Sequence, residues 1–276
     1  FMNESTKTVK TTCPYCGVGC GVLATLDEHG IVTVKGDPEH PANAGRLCSK
    51  GTALGETVYL SGRLLYPEIE GQQVSWDQAI STVAGRFKDI IDEHGPDSVA
   101  FYVSGQLLTE DYYVVNKLMK GFIGSANIDT NSRLCMSSPV AAHKRAFGED
   151  IVPGCYEDLD HAQLIVLAGS NTAWCHPVIY QRINLAKKNN PDLFVVLIDP
   201  RATQTVGFAD LHLSIKPGQD STLFNGLLTF LEGNGDRNEL FTANFTSGLE
   251  PALAAAKQSA PSVEAVAALC GVPVEN

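Results

Sequence analysis

Residues 162–201 read AQLIVLAGSNTAWCHPVIYQRINLAKKNNPDLFVVLIDPR, and this stretch decides the fold. Two nearly continuous apolar runs, at 162–168 and 193–198, flank a helical pattern around 178–189. Apolar runs that do not alternate with polar residues are typical of strands buried on both faces, as in parallel sheets. The stretch therefore predicts a strand–helix–strand unit in a parallel sheet.

The same alternation continues on both sides of this unit. Downstream, the sequence predicts a strand over 211–215 and an amphipathic helix over 221–232. Upstream, Ser75 with a glutamine three residues later has the pattern of a capping box and predicts a helix over 76–93. A buried strand over 99–103 and a second helix over 109–121 follow. We therefore predict an α/β chain.

Two turns of the central unit have features of a dinucleotide site. The Gly-Ser-Asn turn at 169–171 follows the first strand, where backbone amides can approach a phosphate. Asp199 ends the second strand, where a carboxylate commonly binds ribose hydroxyls. A plain turn with a solvated charge pair is the structural alternative for Asp199 and its neighbour Arg201.

Four of the eight cysteines fall close to the amino terminus. Cys13, Cys16 and Cys20 lie in CPYCGVGC, and Cys48 lies in LCSKG, which gives the spacing C-x2-C-x3-C-x27-C. Three close thiolates with a distant fourth suit an iron–sulfur cluster, whereas structural zinc usually takes two separated cysteine pairs. Zinc and a redox disulfide remain the alternatives. A hairpin over 21–35 completes a small amino-terminal module.

Composition limits the classes of partner. The 276 residues are 44% hydrophobic and carry a formal net charge of -11, so a buried core is expected and binding to nucleic acid or anionic membranes is not. No apolar run has the length of a bilayer span, and residues 1–12 have neither a twin arginine nor an apolar signal core. These features favour a cytoplasmic protein.

The cysteine motifs, together with NSRLCMSS around Cys135 and GSNTAWCHP around Asn171, resemble those of the molybdopterin oxidoreductases. The resemblance extends to about residue 232, and within the family it is greatest to the amino-terminal part of cytoplasmic assimilatory nitrate reductases and their periplasmic relatives. It implies a [4Fe-4S] cluster on Cys13, Cys16, Cys20 and Cys48. It also implies molybdenum held by a bis(molybdopterin guanine dinucleotide) cofactor.

The resemblance assigns roles to four further residues. Cys135 matches the protein ligand to molybdenum, and its alternative is a small buried hydrophobic residue. Lys50 matches the basic residue between cluster and pterin, and its alternative is an ordinary exposed lysine. Met136 stands where formate dehydrogenases of the family typically have histidine, which favours nitrate as substrate. Gln106 matches a glutamine near the pterin, or else is a loop amide.

The resemblance also assigns one guanine dinucleotide to three segments of the chain, residues 170–176, 199–205 and 216–220. The residues carried over are Asn171, His176, Asp199, Arg201 and Asp220. Asp220 has an equally good structural alternative, because a carboxylate just before a helix is a favourable N-cap.

The implied activity is reduction of nitrate to nitrite by oxygen-atom transfer at molybdenum, with electrons delivered through the cluster. The electron donor would be a reductase subunit, a ferredoxin or a flavodoxin. A formate dehydrogenase of the same family and a molybdenum-free electron-transfer subunit are the alternatives. Molybdenum and tungsten are not distinguished by the sequence.

The expected fold is α/β: a small iron–sulfur module with β-hairpins, followed by α/β domains with a parallel dinucleotide-binding sheet. We expect a cluster module over 1–60, an α/β segment of the pterin-binding core over 61–135, and a Rossmann-like dinucleotide domain over 136–276 that is incomplete at its carboxyl end. Catalytic subunits of the family are more than twice this long. The isolated chain is therefore expected to lack nitrate reductase activity.

Overall fold

The computed structural model describes residues 7–276, apart from the side chains of residues 132, 133 and 135. The strands are β1 (Lys7–Thr12), β2 (Gly21–Leu26), β3 (Val32–Gly36), β4 (Glu68–Ile69), β5 (Gln72–Gln73), β6 (Phe101–Val103), β7 (Ile128–Thr130), β8 (Leu164–Ala168), β9 (Phe194–Ile198) and β10 (Leu211–Leu213). The helices are α1 (Ser49–Thr52), α2 (Trp76–His94), α3 (Thr109–Asn116), α4 (Asn131–Phe147), α5 (Asp158–His161), α6 (Thr172–Cys175), α7 (Pro177–Asn189), α8 (Asp220–Asn234), α9 (Glu239–Phe245), α10 (Leu249–Ser259) and α11 (Val263–Cys270).

The chain packs as two compact units. The first unit combines residues 7–55 with 155–276, and the second unit is formed by residues 56–154. The domain limits predicted at residues 60 and 135 remain a prediction.

The amino-terminal part of the first unit is a three-stranded antiparallel sheet in the order β1–β2–β3. Leu23 of β2 lies opposite both Lys10 and Lys35, so the expected hairpin over 21–35 is present. Its turn is fixed by Asp27, whose Oδ1 accepts hydrogen bonds from the amides of His29 (2.9 Å) and Ile31 (2.8 Å). The loop between β1 and β2 carries three of the four amino-terminal cysteines.

The carboxyl-terminal part of the first unit is the expected parallel sheet, in the order β10–β9–β8. Helix α7 connects β8 to β9 and packs Ile183 against Val195, whereas Leu223 of α8 packs with Ile198 on the other side of β9. Both faces of β9 are therefore covered by helices, which explains its uninterrupted apolar sequence. The α/β fold class is confirmed.

An ion pair holds the start of β9 in place. The carboxylate of Asp210 pairs with Lys187 of α7 and accepts a hydrogen bond from the amide of Val195 at 2.7 Å. Lys187 first, and then this amide, hold the pKa of Asp210 below its ordinary value of 3.8. The ion pair between Asp210 and Lys187 thus connects α7, β9 and the loop before β10.

We expect this pair to give a pH-dependent part of the stability. Because the pKa of Asp210 is lower in the folded than in the unfolded chain, its contribution is complete above a pH of about 4 and is lost as the pH falls through the folded pKa. Asp210→Asn should therefore lower the free energy of unfolding at neutral pH, and the difference from the wild type should shrink in acid. Urea unfolding over this pH range measures it, with the exposed Asp236→Asn as control. A difference that does not change with pH would contradict the prediction.

The second unit has a smaller parallel pair, β6 with β7. Helix α2 begins at the expected cap, where Ser75 Oγ accepts a hydrogen bond from the Gln78 amide at 3.2 Å. The helix predicted over 109–121 is observed as α3 followed by a π-helical segment, Lys117–Ile123. Among residues 7–276, we find no helix with the length and apolar character needed to cross a membrane.

Candidate metal centre and cofactor site

The four amino-terminal cysteines line one small cavity of the first unit. Cys13 and Cys20 are buried, and Cys16 and Cys48 are half-buried. The loop between β1 and β2 is closed by a hydrogen bond from the Cys13 amide to the Cys20 carbonyl (2.9 Å), which keeps its three thiols on one side. Gly19 has a φ of +67° and permits the return of the chain. The four cysteines that the sequence spacing singled out therefore do lie around one cavity.

Asn43 holds the segment that leads to Cys48 against this loop. Its side chain is buried and accepts a hydrogen bond from the Gly21 amide (2.8 Å), while its Nδ2 donates to the carbonyls of Gly21 (3.0 Å) and Arg46 (2.8 Å). These bonds link the residue after Cys20 to the turn before Cys48. Asn43 could not be identified from the sequence, because a buried amide that bonds to distant backbone leaves no periodic pattern.

We expect Asn43→Ala to destabilise the first unit strongly. The substitution leaves the Gly21 amide and the Arg46 carbonyl without this partner, whereas the Gly21 carbonyl keeps its hydrogen bond from the Asp37 amide. Each buried polar group left unpaired costs roughly 1–3 kcal/mol. The free energy of unfolding, measured by chemical denaturation, should fall by about 2–3 kcal/mol. Asn244→Ala is the matched control, since its exposed amide makes one hydrogen bond to the Leu240 carbonyl. Equal small losses in both variants would contradict this role.

The chemistry of the four donors fits an iron–sulfur cluster. Burial, followed by the nearby thiolates of Cys13, Cys16 and Cys48, raises the pKa of the Cys20 thiol to about 11. A cationic group bound there would have to displace this proton, as thiolate-bound metals do. Three closely spaced thiolates with a distant fourth suit a cubane cluster, in which each iron takes one thiolate, whereas structural zinc usually takes two separated cysteine pairs.

Helix α7, which packs on the parallel sheet, also contributes residues to the wall of the cysteine cavity. Pro177 and Val178, the first residues of that helix, line the cavity with the cysteines. His176 precedes them as the N-cap and is half-buried. The predicted dinucleotide segment that ends at His176 therefore runs directly into the wall of the cysteine cavity.

The three predicted dinucleotide segments follow the carboxyl ends of β8, β9 and β10, at one edge of the parallel sheet. Two of them are joined by Thr205, which is fully buried, donates to Asn171 Oδ1 (3.1 Å) and accepts from the Ala173 amide (3.1 Å). Ligands of open α/β sheets commonly bind at such an edge. The sheet thus brings Asn171 and the loop after Asp199 together.

The carboxylates at this edge differ in their local roles. Asp199 Oδ1 accepts a hydrogen bond from the Arg201 amide at 2.8 Å, so one of its oxygens stabilises its own turn. Asp220 is exposed and is the first residue of α8, whose N-cap is Gln219 without a side-chain capping bond. The capping alternative for Asp220 was therefore wrong by one position, because the turn at Gly218 places Gln219 at the helix boundary. Both assignments to a dinucleotide stay predictions.

The second unit carries three of the predicted residues, Gln106, Cys135 and Met136, after the carboxyl ends of β6 and β7. The loop after β6 is bound to the first residue of α4, because the Gly105 amide donates to Asn131 Oδ1 at 2.6 Å. Gln106, next in this loop, is exposed, as is Met136. The Cys135 side chain lies outside the described residues. Its backbone belongs to the second turn of α4.

Lys50 lies in the first unit, within the short helix α1 that Cys48 begins as N-cap. Its side chain is exposed. This is the position expected from the sequence, two residues after the last cavity thiol, and its role in electron transfer remains a prediction.

Comparison with protein families gives two matches along the chain. Residues 6–60 match the molybdopterin oxidoreductase Fe4S4 domain, and residues 63–240 match the molybdopterin oxidoreductase family. The boundary between them falls close to the end of the four-cysteine segment.

Curated relatives are nitrate reductases. The chain is 56% identical over 264 residues to a nitrate reductase of Klebsiella oxytoca, 38% identical to a periplasmic nitrate reductase of Desulfovibrio desulfuricans and 36% identical to an assimilatory nitrate reductase of Haloferax mediterranei. These matches cover 96%, 99% and 100% of this chain but only 30%, 38% and 38% of the relatives.

Among solved structures, acetylene hydratase from Pelobacter acetylenicus has the same fold over 96% of this chain and 37% of its own, with a TM-score of 0.81. Its sequence identity is 22%, so the likeness concerns the fold alone.

Proposed function

Since the chain belongs to the molybdopterin oxidoreductase family, we propose that it is part of the catalytic subunit of a molybdenum nitrate reductase that reduces nitrate to nitrite. The observation that carries the proposal is the cavity lined by Cys13, Cys16, Cys20 and Cys48, in a chain 56% identical over 264 residues to a nitrate reductase. The chain spans about a third of the relatives' length, so the activity is proposed for the complete subunit.

The four cysteines would hold a [4Fe-4S] cluster, and the Cys135 thiolate would bind molybdenum. When bound, the molybdenum–pterin cofactor supplies the two-electron, oxygen-atom-transfer chemistry that nitrate reduction requires. Asn171, His176, Asp199, Arg201 and Asp220 would bind the guanine dinucleotide form of the pterin, and Gln106 would contact the pterin itself.

The chain's own residues orient these groups and favour electron flow between them. Lys50 places an exposed positive charge on the turn that follows Cys48. A positive charge at this position stabilises an electron that leaves the cluster, so we assign Lys50 to the path of electron transfer. Met136 leaves the position after the metal ligand without a titratable imidazole, which favours nitrate over formate as substrate.

We propose a protein electron donor, either a reductase subunit, a ferredoxin or a flavodoxin, and a cytoplasmic location. The named relatives include both an assimilatory and a periplasmic enzyme, so the compartment needs its own test. Fractionation of the native host, with nitrate reductase activity as the marker, makes that test. Activity confined to the periplasm would contradict a cytoplasmic enzyme.

Elemental analysis of the anaerobically purified chain tests the cofactor proposal, and turnover by the complete subunit tests the substrate. Four irons with molybdenum support the enzyme, iron alone supports an electron-transfer subunit, and zinc alone contradicts both. With reduced viologen as donor, the complete subunit should turn over nitrate, and with oxidised viologen as acceptor it should not oxidise formate. We expect no activity from the 276-residue chain alone, and steady turnover by it would contradict that expectation.

A further inference from the structure

Tyr156 contacts the cysteine loop from a distant part of the first unit. Its hydroxyl donates a hydrogen bond to the Val18 carbonyl at 2.7 Å and lies 3.5 Å from the Gly17 carbonyl. Its half-buried ring packs against the apolar cluster that includes Cys13 and Cys20. Tyr156 therefore packs beside the buried cysteines and bonds to the stretch between Cys16 and Cys20.

Arg182 contacts both Tyr156 and the turn at Pro41. Its guanidinium lies 5.9 Å from the centre of the Tyr156 ring and donates from Nε and Nη2 to the two carboxylate oxygens of Asp160, at 3.0 and 2.5 Å. Its Nη1 donates to the Pro41 carbonyl at 2.9 Å. The Arg182 side chain is only 15% exposed. A fork with these four contacts is rigid, because the two-pronged carboxylate pair fixes the guanidinium plane.

The two side chains together hold both cysteine-bearing segments. Tyr156 holds the loop with Cys13, Cys16 and Cys20, and Arg182 holds the turn at Pro41 that leads towards Cys48. Neither side chain is a metal ligand.

We propose that Tyr156 and Arg182 are positioning residues for the iron–sulfur cluster, which they hold in shape and shield from water. The proposal rests on the assignment of the four cysteines to such a cluster. Hydrogen bonding and solvent exposure around the sulfurs set the reduction potential of a cluster. If the Val18 carbonyl loses its donor, the loop loosens and water reaches the cluster. Water stabilises the more negatively charged reduced form, so the potential rises.

Tyr156→Phe isolates the hydroxyl, because the ring and its contact with Arg182 remain. A hydrogen bond of this kind corresponds to about a two- to tenfold change in an equilibrium or rate. In the full chain carrying its cluster, we expect anaerobic iron release to a ferrous chelator to be about two- to tenfold faster. We also expect the reduction potential, titrated with detection of the reduced cluster by electron paramagnetic resonance, to rise. Arg182→Lys keeps the charge, loses the fork and should also accelerate iron release.

The matched control is Tyr112→Phe. Tyr112 also donates through its hydroxyl to a backbone carbonyl, that of Ser104 at 2.6 Å, but it lies in the second unit. Its variant should release iron at the wild-type rate and keep the wild-type potential. The proposal is overturned if Tyr156→Phe matches the wild type in both measurements, or if Tyr112→Phe changes them equally. A wild-type chain that binds no iron would instead refute the cluster assignment, and the positioning role with it.

Discussion

Cys48→Ser is expected to remove most of the iron from the purified chain. Among the side chains that the structure describes, Cys48 is the one cavity thiol outside the 13–20 loop. Its loss therefore leaves three ligands on one side of the cluster and an open corner on the other. A serine hydroxyl is a hard oxygen donor that keeps its proton at neutral pH and replaces a soft thiolate poorly. A cluster with an unprotected corner is open to water and oxidants. Iron analysis and the visible charge-transfer absorbance of the anaerobic protein measure the loss.

Cys175→Ser is the control for this experiment. Cys175 is an exposed thiol at the end of α6 and does not line the cysteine cavity. Its variant should retain the four irons of the wild-type chain. The cluster assignment fails if Cys48→Ser keeps full iron with an unchanged spectrum. It also fails if both variants lose iron to the same extent, because general instability would then explain the result.

The parallel sheet could be predicted closely because its local signals agree with its packing. Strands over 162–168 and 193–198 were expected and are observed as β8 and β9, since burial on both faces requires continuous apolar runs. The helix expected over 76–93 ends within one residue of α2, because Ser75 caps one end and Gly95 terminates the other. Capping and turn residues act within a few positions, so one sequence contains the whole signal.

In the second unit, the local sequence signals predict the helices and strands less accurately. The helix predicted over 109–121 continues beyond Asn116 with π-helical bonding, which apolar periodicity does not reveal. The strand predicted over 99–103 is paired only from Phe101 to Val103. Its partner β7 begins at Ile128, and the register of two strands this far apart depends on tertiary packing.

Some residues of the candidate site could likewise be identified from the sequence, and others could not. The cysteines could be identified from spacing, because a cluster requires donors of one kind at a few characteristic intervals. Asn43 and Tyr156 could not, since each bonds through one side chain to backbone carbonyls far along the chain, and backbone carbonyls carry no sequence identity. Thr205 was missed for a related reason: a buried threonine in the first turn of a short 3-10 helix has the sequence appearance of any turn residue.

Cys135→Ala in the complete catalytic subunit is expected to lower nitrate reduction by at least about a hundredfold. Loss of an outer-shell partner alone costs a metal site about 10–100-fold, and Cys135 is assigned to the metal itself. Because Cys135 belongs to the second unit and the four cavity thiols are unchanged, the iron content should stay at the wild-type value. Activity with reduced viologen and the molybdenum and iron contents of the same sample measure both effects.

Ser137→Ala is the matched control, since this exposed side chain lies on the same helix and donates a hydrogen bond to the nearby Leu134 carbonyl at 3.0 Å. It should retain nitrate turnover within about a factor of two, the range of a weak surface hydrogen bond. If Cys135→Ala turns over nitrate at the wild-type rate with molybdenum bound, Cys135 is not the metal ligand. If it loses iron as well as activity, the substitution acts on folding, and the assignment of Cys135 loses its support. Loss of activity with iron retained is the one result that separates the molybdenum site from the cluster, because only then do the two cofactors respond to different cysteines.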